Sequence, residues 1–444
     1  MVMLFVLLMM ATSTVSFAGT AYYVSPNGND GGGCTQSAPC RTVRKGAPLL
    51  QPGDTLYLRG GIYTENINRD MTIPSGTSWD VPVTIAGYPG EVATFTTGGF
   101  NLYNMSIAYL IVDNIVLTNG ASWSPLGPDL HHIRLQNSEV KNNPTASGVG
   151  GGYYAHHLEY VNLHIHHNGA PGDRLDHGMY ICAKDTVIRD SDIHDNSGYG
   201  IQIFDSNNQH CGDGTKIYNN KVHHNNGDGA ITLNYSDNLE VYNNLVYNNT
   251  NGGIQLAYGN LNNPQIYNNT IVGNGGAPLV LGTNCHGCEN AVYSANVKNN
   301  ILYGNKPDTV ELQGGTSHVS FYGNLCSTMQ YGCNLQGDPR FTNATAYDFT
   351  LTTGSAAIDK GEVIPLVRTD MRGLPRAQAK PYDLGAYSYA TGTLPPIPPI
   401  PPIPPVATLV LDSCTIDSAD TVTLTYTSGQ KTKVRVATKG KGKR

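Results

Sequence analysis

A nine-residue pattern recurs seven times between residues 135 and 305, and it constrains the fold more than any other feature. It reads apolar, any, Asn or Asp, usually polar, any, apolar, any, any, Asn. The copies begin at Leu135, Tyr160, Ile188, Ile217, Val241, Ile266 and Val297, and all seven close on Asn, at Asn143, Asn168, Asn196, Asn225, Asn249, Asn274 and Asn305. Their central residues are Val140, Ile165, Ile193, Val222, Val246, Ile271 and Leu302, which follow one another at intervals of 24 to 31 residues. Alternation in so short a block describes a strand with one face in and one face out. One such strand cannot bury itself, so successive copies must stack into a solenoid. The closing Asn has two physical uses: it tolerates a left-handed corner, and stacked amides can hydrogen-bond from coil to coil.

A second strand follows most blocks, at Met179-Tyr180-Ile181, Ile201-Gln202-Ile203, Ile231-Thr232-Leu233, Ile254-Gln255-Leu256 and Leu279-Val280-Leu281. Gly178, Gly200 and Gly253 precede three of these, as a corner would require. A third, less regular strand completes a coil with three faces. The expectation is all-β: a right-handed parallel β-helix. Only 14% of residues are charged, and 51 glycines are a poor basis for helices.

Tyr22-Tyr23-Val24-Ser25-Pro26-Asn27-Gly28-Asn29-Asp30, Pro52-Gly53-Asp54-Thr55-Leu56-Tyr57-Leu58 and Gly61-Ile62-Tyr63 look like the opening of secreted bacterial β-helix proteins. Ala357-Ile358-Asp359-Lys360-Gly361, Thr369-Asp370-Met371-Arg372-Gly373 and Asp383-Leu384-Gly385-Ala386-Tyr387 look like their closing segment. With the repeat, these residues resemble the pectate lyase superfamily over roughly residues 22–390. The resemblance implies the fold; activity must be argued from a site, because the fold hosts many.

Residues 1–18 read as a secretory signal, an apolar run ending in Ser16-Phe17-Ala18. Residues 19–390 form the β-helix with its caps. Residues 391–406 are a proline-rich spacer, and residues 407–444 a short β-module with a basic tail. Nine cysteines fit an oxidising compartment. Cys34 with Cys40, Cys285 with Cys288, and Cys326 with Cys333 close small loops; Cys182 and Cys211 remain as a longer pair, and Cys414 is odd. These features predict a secreted or cell-surface monomer with no integral membrane segment after signal removal.

The net charge is −6, and the tail from Ala407 carries seven basic and three acidic residues, so the remainder carries −10. Nucleic acid is therefore not an expected partner. A polysaccharide is, and an anionic one must meet a local basic patch.

The outward neighbours of the central residues form two ladders. One runs Glu139, His164, Asp192, Lys221, Leu245, Thr270, Ile301; the other runs Lys141, His166, His194, His223, Tyr247, Val272, Tyr303. Titratable residues crowd the first four coils. Stacked imidazoles depress one another's pKa, which suits them to act as bases. An insertion between Ile165 and Met179 adds Asp173, Arg174, Asp176 and His177; another, after Ile203, carries Asp205, His210, Cys211 and Asp213. Long loops on a rigid scaffold are where binding residues gather.

These residues predict an enzyme on an acidic polysaccharide, a lyase in the first instance. His166, His194, His223, Lys221 and Tyr180 are the candidate catalytic residues. Asp173, Arg174, Asp176, His177, Asp192, Gln202 and Thr232 are candidate substrate contacts. Arg174 or Lys221 would neutralise the uronate, a histidine of the His166/His194/His223 ladder would take the C5 proton, and Tyr180 would protonate the leaving oxygen. The alternatives are a non-catalytic carbohydrate-binding surface protein, or a glycoside hydrolase using Asp176 and Asp192. Asp176-His177-Gly178 resembles the strand-edge motif of mannuronan epimerases without its proline and second acid. The aspartate clusters that hold calcium in pectate lyases are absent as well, so a calcium cofactor stays open and no metal ligands are assigned.

Overall fold

The computed structural model describes residues 19–204, 210–257, 261–282, 291–313, 315–377, 380–390, 411–418, 421–426 and 431–435. The chain divides into a large unit, Thr20–Ile397, and a small one that includes Pro398–Arg444. The small unit contributes an antiparallel meander of Leu411–Ser418, Thr421–Tyr426 and Lys431–Arg435.

The large unit is a parallel β-solenoid whose coils pass in turn through three sheets. Sheet A has twelve strands, from Ala21–Val24 to Gly315–Tyr322; sheet B has twelve, from Gly61–Tyr63 to Leu335–Gln336; sheet C has ten, from Asn66–Ile67 to Glu311–Leu312. The central residues of the repeat form one column in sheet B, with Val140 paired to Ile165, Ile165 to Ile193, Ile193 to Val222, Val222 to Val246, Val246 to Ile271 and Ile271 to Leu302. All are buried in a single continuous core. A short helix, Val43–Gly46, closes the first coils, N-capped by Thr42 and burying Val43 against that core.

The closing asparagines do not take the left-handed corner expected of them. That conformation falls on the third residue of each block (Asn137, Asn162, Asp190, Asn219, Asn243, Asn268, Asn299) and on the residue before the closing Asn, such as Asn142, His167, Asp195, His224 and Asn248. The closing asparagines instead point inward as a buried amide ladder. Asn168 donates to Asn196 at 3.0 Å, Asn196 to Asn225 at 2.9 Å, Asn225 to Asn249 at 3.1 Å and Asn249 to Asn274 at 2.9 Å. A second ladder, Asn220, Asn244, Asn269, Asn300 and Asn324, runs at the A–B corner. Each amide satisfies a turn that cannot reach water.

Gly178, Gly200 and Gly253 also serve a different purpose from the one expected, since none has positive φ. A Cβ on Gly178 would lie 2.6 Å from the Gly200 carbonyl oxygen, and one on Gly253 2.4 Å from that of Pro278. Glycine here permits close approach of neighbouring coils.

Three disulfides join Cys34 to Cys40, Cys182 to Cys211 and Cys326 to Cys333. The expected Cys285–Cys288 pair, the signal segment and the proline-rich spacer lie outside the described residues, as does Asp205.

The apolar turn of the sheet B ladders has a packing cause. The closing segment of the large unit lies over the later coils: Leu245 and Tyr247 pack with Phe349 and Ala386, and Ile301 with Leu351 and Leu384. Arg376, buried, donates to Asn243 at 3.0 Å and to the Gly385 carbonyl at 2.8 Å. The earlier coils keep their polar face.

Candidate functional site

Four successive strands of sheet B, Glu139–Lys141, His164–His166, Asp192–His194 and Lys221–His223, present the uncovered part of that face. Each is three residues long with its centre buried, so first and third residues both point outward. The first residues adjoin the A–B corner; the third adjoin the B–C corner.

At the A–B corner the coils enclose an open groove of about 650 Å³. Glu139, His164, Asp192 and Lys221 lie along it, with Asn137, Asn162, Asp190 and Asn219 on the corner and Met371 of the closing segment at its edge. Lys221 and His164 are exposed. Asp192 is the register neighbour of both, yet its Oδ1 lies 2.9 Å from Nε2 of His223, and among the described residues Lys221 forms no ion pair.

The column at the other corner is a stack of rings. His166 and His194 are 5.1 Å apart, His194 and His223 4.8 Å, and His223 and Tyr247 4.6 Å, with interplanar angles of 3°, 4° and 17°. Both nitrogens of each imidazole are engaged. His166 reaches Glu139 (3.0 Å) and His167 (2.7 Å); His194 reaches His164 (2.7 Å) and Asp195 (2.6 Å); His223 reaches Asp192 and His224 (2.7 Å). Burial holds the pKa of His164 and His166 below the ordinary value; His194 pushes both the same way, while Glu139 opposes. Burial raises the carboxyl of Asp192, but the His223 hydrogen bond and the charges of His223, Lys221 and His194 together outweigh it and the net shift is downward.

The insertion lies along the B–C turns. Asp176 accepts from the Ala170 amide at 3.4 Å, and Asp173 from that of Leu175 at 2.8 Å. Arg174 reaches down to Asp228 at 2.9 Å, which compensates its charge. His177 is buried; its Nδ1 accepts from the Tyr199 amide at 3.1 Å and its ring meets Tyr180 at 5.4 Å. Tyr180 stands on sheet C in register with Gln202, and Gln202 with Thr232. Burial pushes its phenol up to about 12. Gln202 and Thr232 are both buried. The candidate residues thus fall into two places: the groove and the stack share one face of sheet B, where His164 meets His194 and Asp192 meets His223, while the insertion and Tyr180 lie beyond the B–C corner. His164 and Glu139 were visible in the sequence only as ladder members; what singles them out is which corner their side chains adjoin.

A family model described as Pel9A-like, right handed beta helix region, matches residues 22–276, more than half of the chain. The chain belongs to this family. A stretch of 69 residues is 39% identical to pectate lyase PEL9 of Emericella nidulans, spanning 16% of this chain and only 16% of that protein. Among solved structures, pectate lyase Pel9A superposes with a TM-score of 0.58 at 16% identity, covering 84% of this chain and 96% of that one. XylC, solved in complex with xylose, superposes with a TM-score of 0.50 at 11% identity, covering 84% and 99%. At these identities the likeness is one of fold.

Within this Pel9A-like chain, two sets of described side chains gather three potential metal ligands: His164, His166 and His194; and His210, Asp213 and Asp237. Calcium takes six to eight oxygens. The first set is imidazole, and in the second Lys184 already lies 3.5 Å from Asp213. At the insertion, Asp173 and Asp176 are joined by no third carboxylate among the described residues. Among the described residues none of these sets brings three carboxylates together.

Proposed function

We propose that this Pel9A-like chain is a secreted polysaccharide lyase that cleaves a uronate-containing polymer by β-elimination. The observation that carries the reading is Lys221, an exposed ammonium without an ion-pair partner among the described residues, in an open groove two strands from the exposed imidazole of His164. At the inter-strand spacing the two backbones stand roughly 10 Å apart, so their side chains must converge on one sugar unit between them. Family membership supports the same reading, as do the pectate lyases among its likenesses. Three disulfides support export, and among the described residues no helix is long and apolar enough to cross a membrane.

In this reading Lys221 pairs with the sugar carboxylate and so makes the C5 proton more acidic. His164 takes that proton. The electron pair left on C5 forms the C4–C5 double bond, the C4–O bond breaks, and the leaving oxygen is protonated by water. The hydrolase alternative has weaker support, because Asp176 and Asp192 sit at opposite corners of sheet B and each already has a partner.

The test is a screen on pectate, alginate and glycosaminoglycans, read by the ultraviolet absorbance of the unsaturated product. A rise on at least one polymer is expected, pectate first. New reducing ends without absorbance would mark a hydrolase, and saturable binding without either would mark a binding protein.

A further inference from the structure

We propose that sheet B holds a divalent transition-metal ion of the zinc, nickel or copper class on His164, His166 and His194, with Glu139 as an oxygen donor at its edge. The site itself stands independently of the lyase reading; only its effect on activity rests on that reading.

The argument starts from register. His164 and His166 flank buried Ile165 on one strand, and His194 pairs with His166 on the next. The backbone therefore fixes where all three imidazoles start, and their ligand atoms lie within 4.8 Å of one another. Nitrogen ligands sit about 2.0–2.1 Å from such an ion, so modest side-chain rotations bring all three into one coordination sphere.

The groups behind the three imidazoles point the same way. Asp195 Oδ2 lies 2.6 Å from His194 Nδ1. A carboxylate there holds the proton on Nδ1 and leaves Nε2 as a bare lone pair, the arrangement commonly found behind a ligating histidine. That Nε2 faces His164 Nε2 at 2.7 Å. His166 directs Nδ1 to His167 and Nε2 to Glu139 at 3.0 Å, so a carboxylate oxygen already stands at the mouth of the cluster. His164 Nδ1 is 3.8 Å from the same oxygen.

Donor chemistry then selects the ion. Imidazole suits zinc, copper and nickel, whereas calcium and magnesium require oxygen. His164 keeps 48% of its side chain exposed, which gives an ion a path in from solvent. An ion bound there would hold the His164 imidazole that the elimination uses, so it would inhibit the lyase reaction.

The experiment is calorimetric titration of untagged, chelator-treated protein with Zn2+, Ni2+ and Ca2+. One equivalent of Zn2+ or Ni2+ should bind with micromolar or tighter Kd, and Ca2+ should not. His164→Ala combined with His194→Ala should abolish the binding. Asp195→Asn should weaken it roughly 10–100-fold, and Asp213→Asn, in the other cluster, should leave it unchanged. If the double variant is unfolded by circular dichroism, the exposed-site variant His164→Gln replaces it, with the same expected loss. Absence of saturable Zn2+ and Ni2+ binding overturns the proposal, as does binding that survives the His164 variants or is lost in Asp213→Asn. These outcomes are read without any sugar substrate, so they are separable from failure of the lyase reading.

Discussion

Asp192 gives its carboxylate to His223 across one coil boundary, Oδ1 to Nε2 at 2.9 Å, and so leaves its register neighbour Lys221 with a charge to offer. Removing that charge should remove transition-state stabilisation without disturbing the core, because Lys221 is exposed. Lys221→Ala should lower kcat/KM on the uronate substrate by about 100-fold or more, with a melting temperature close to that of the parent. Lys221→Arg should recover part of the loss. Equal activity in the alanine variant would remove Lys221 from the mechanism.

The inner amide ladder should be a source of stability. Asn225 is fully buried and donates both to Asn249 and to the carbonyl oxygens of Ile193 and His223. Asn225→Leu strands those partners, and each buried unsatisfied group costs about 1–3 kcal/mol. Chemical denaturation should show a loss of at least that size. A change within error would mean that water replaces the amide.

Acid should loosen the insertion. Burial pushes the His177 pKa down to about 4, while an unfolded histidine titrates near 6.5. Between those values the unfolded chain binds more protons than the folded one, so stability falls as pH drops from about 6.5 to about 4. The loss attributable to this group approaches about 3 kcal/mol at its limit. The difference in unfolding free energy between wild type and His177→Gln should vary with pH across that window and be flat above it. A difference that is flat throughout would contradict the assignment.

The covering segment should matter to the later coils. Phe349 is buried against Tyr247 and Phe341, with ring centroids 5.2 Å away in each case. Phe349→Ala should cost about 3–5 kcal/mol, measured by denaturation, and should speed proteolysis within residues 341–390. Unchanged proteolysis would mean the cover is held elsewhere.

How much of this was legible in the sequence follows from the range of each interaction. The column from Val140 to Leu302 and its outward ladders come from period-two alternation within a block, and register preserved them. The loop-closing disulfides at Cys34 and Cys326 come from proximity in sequence. The direction of the closing asparagines did not, because a corner amide and an inward amide occupy adjacent positions in the same block, and only the stacked coils show which is which. The fading of polarity after Lys221 was visible, but its cause, a segment more than a hundred residues later, was not. The groove was hidden for a related reason: alternation says that His164 and His166 both face out, not that they adjoin different corners. The burial of Gln202 and Thr232 on sheet C likewise depends on packing that alternation does not encode.

The central claim is elimination at the groove, and it is tested most directly by following ultraviolet absorbance while wild type and Lys221→Ala act in parallel on pectate, alginate and glycosaminoglycans. The account predicts a steady rise for wild type on at least one uronate polymer and little or none for the variant. No rise for wild type on any of them, or an equal rise for both proteins, would contradict it.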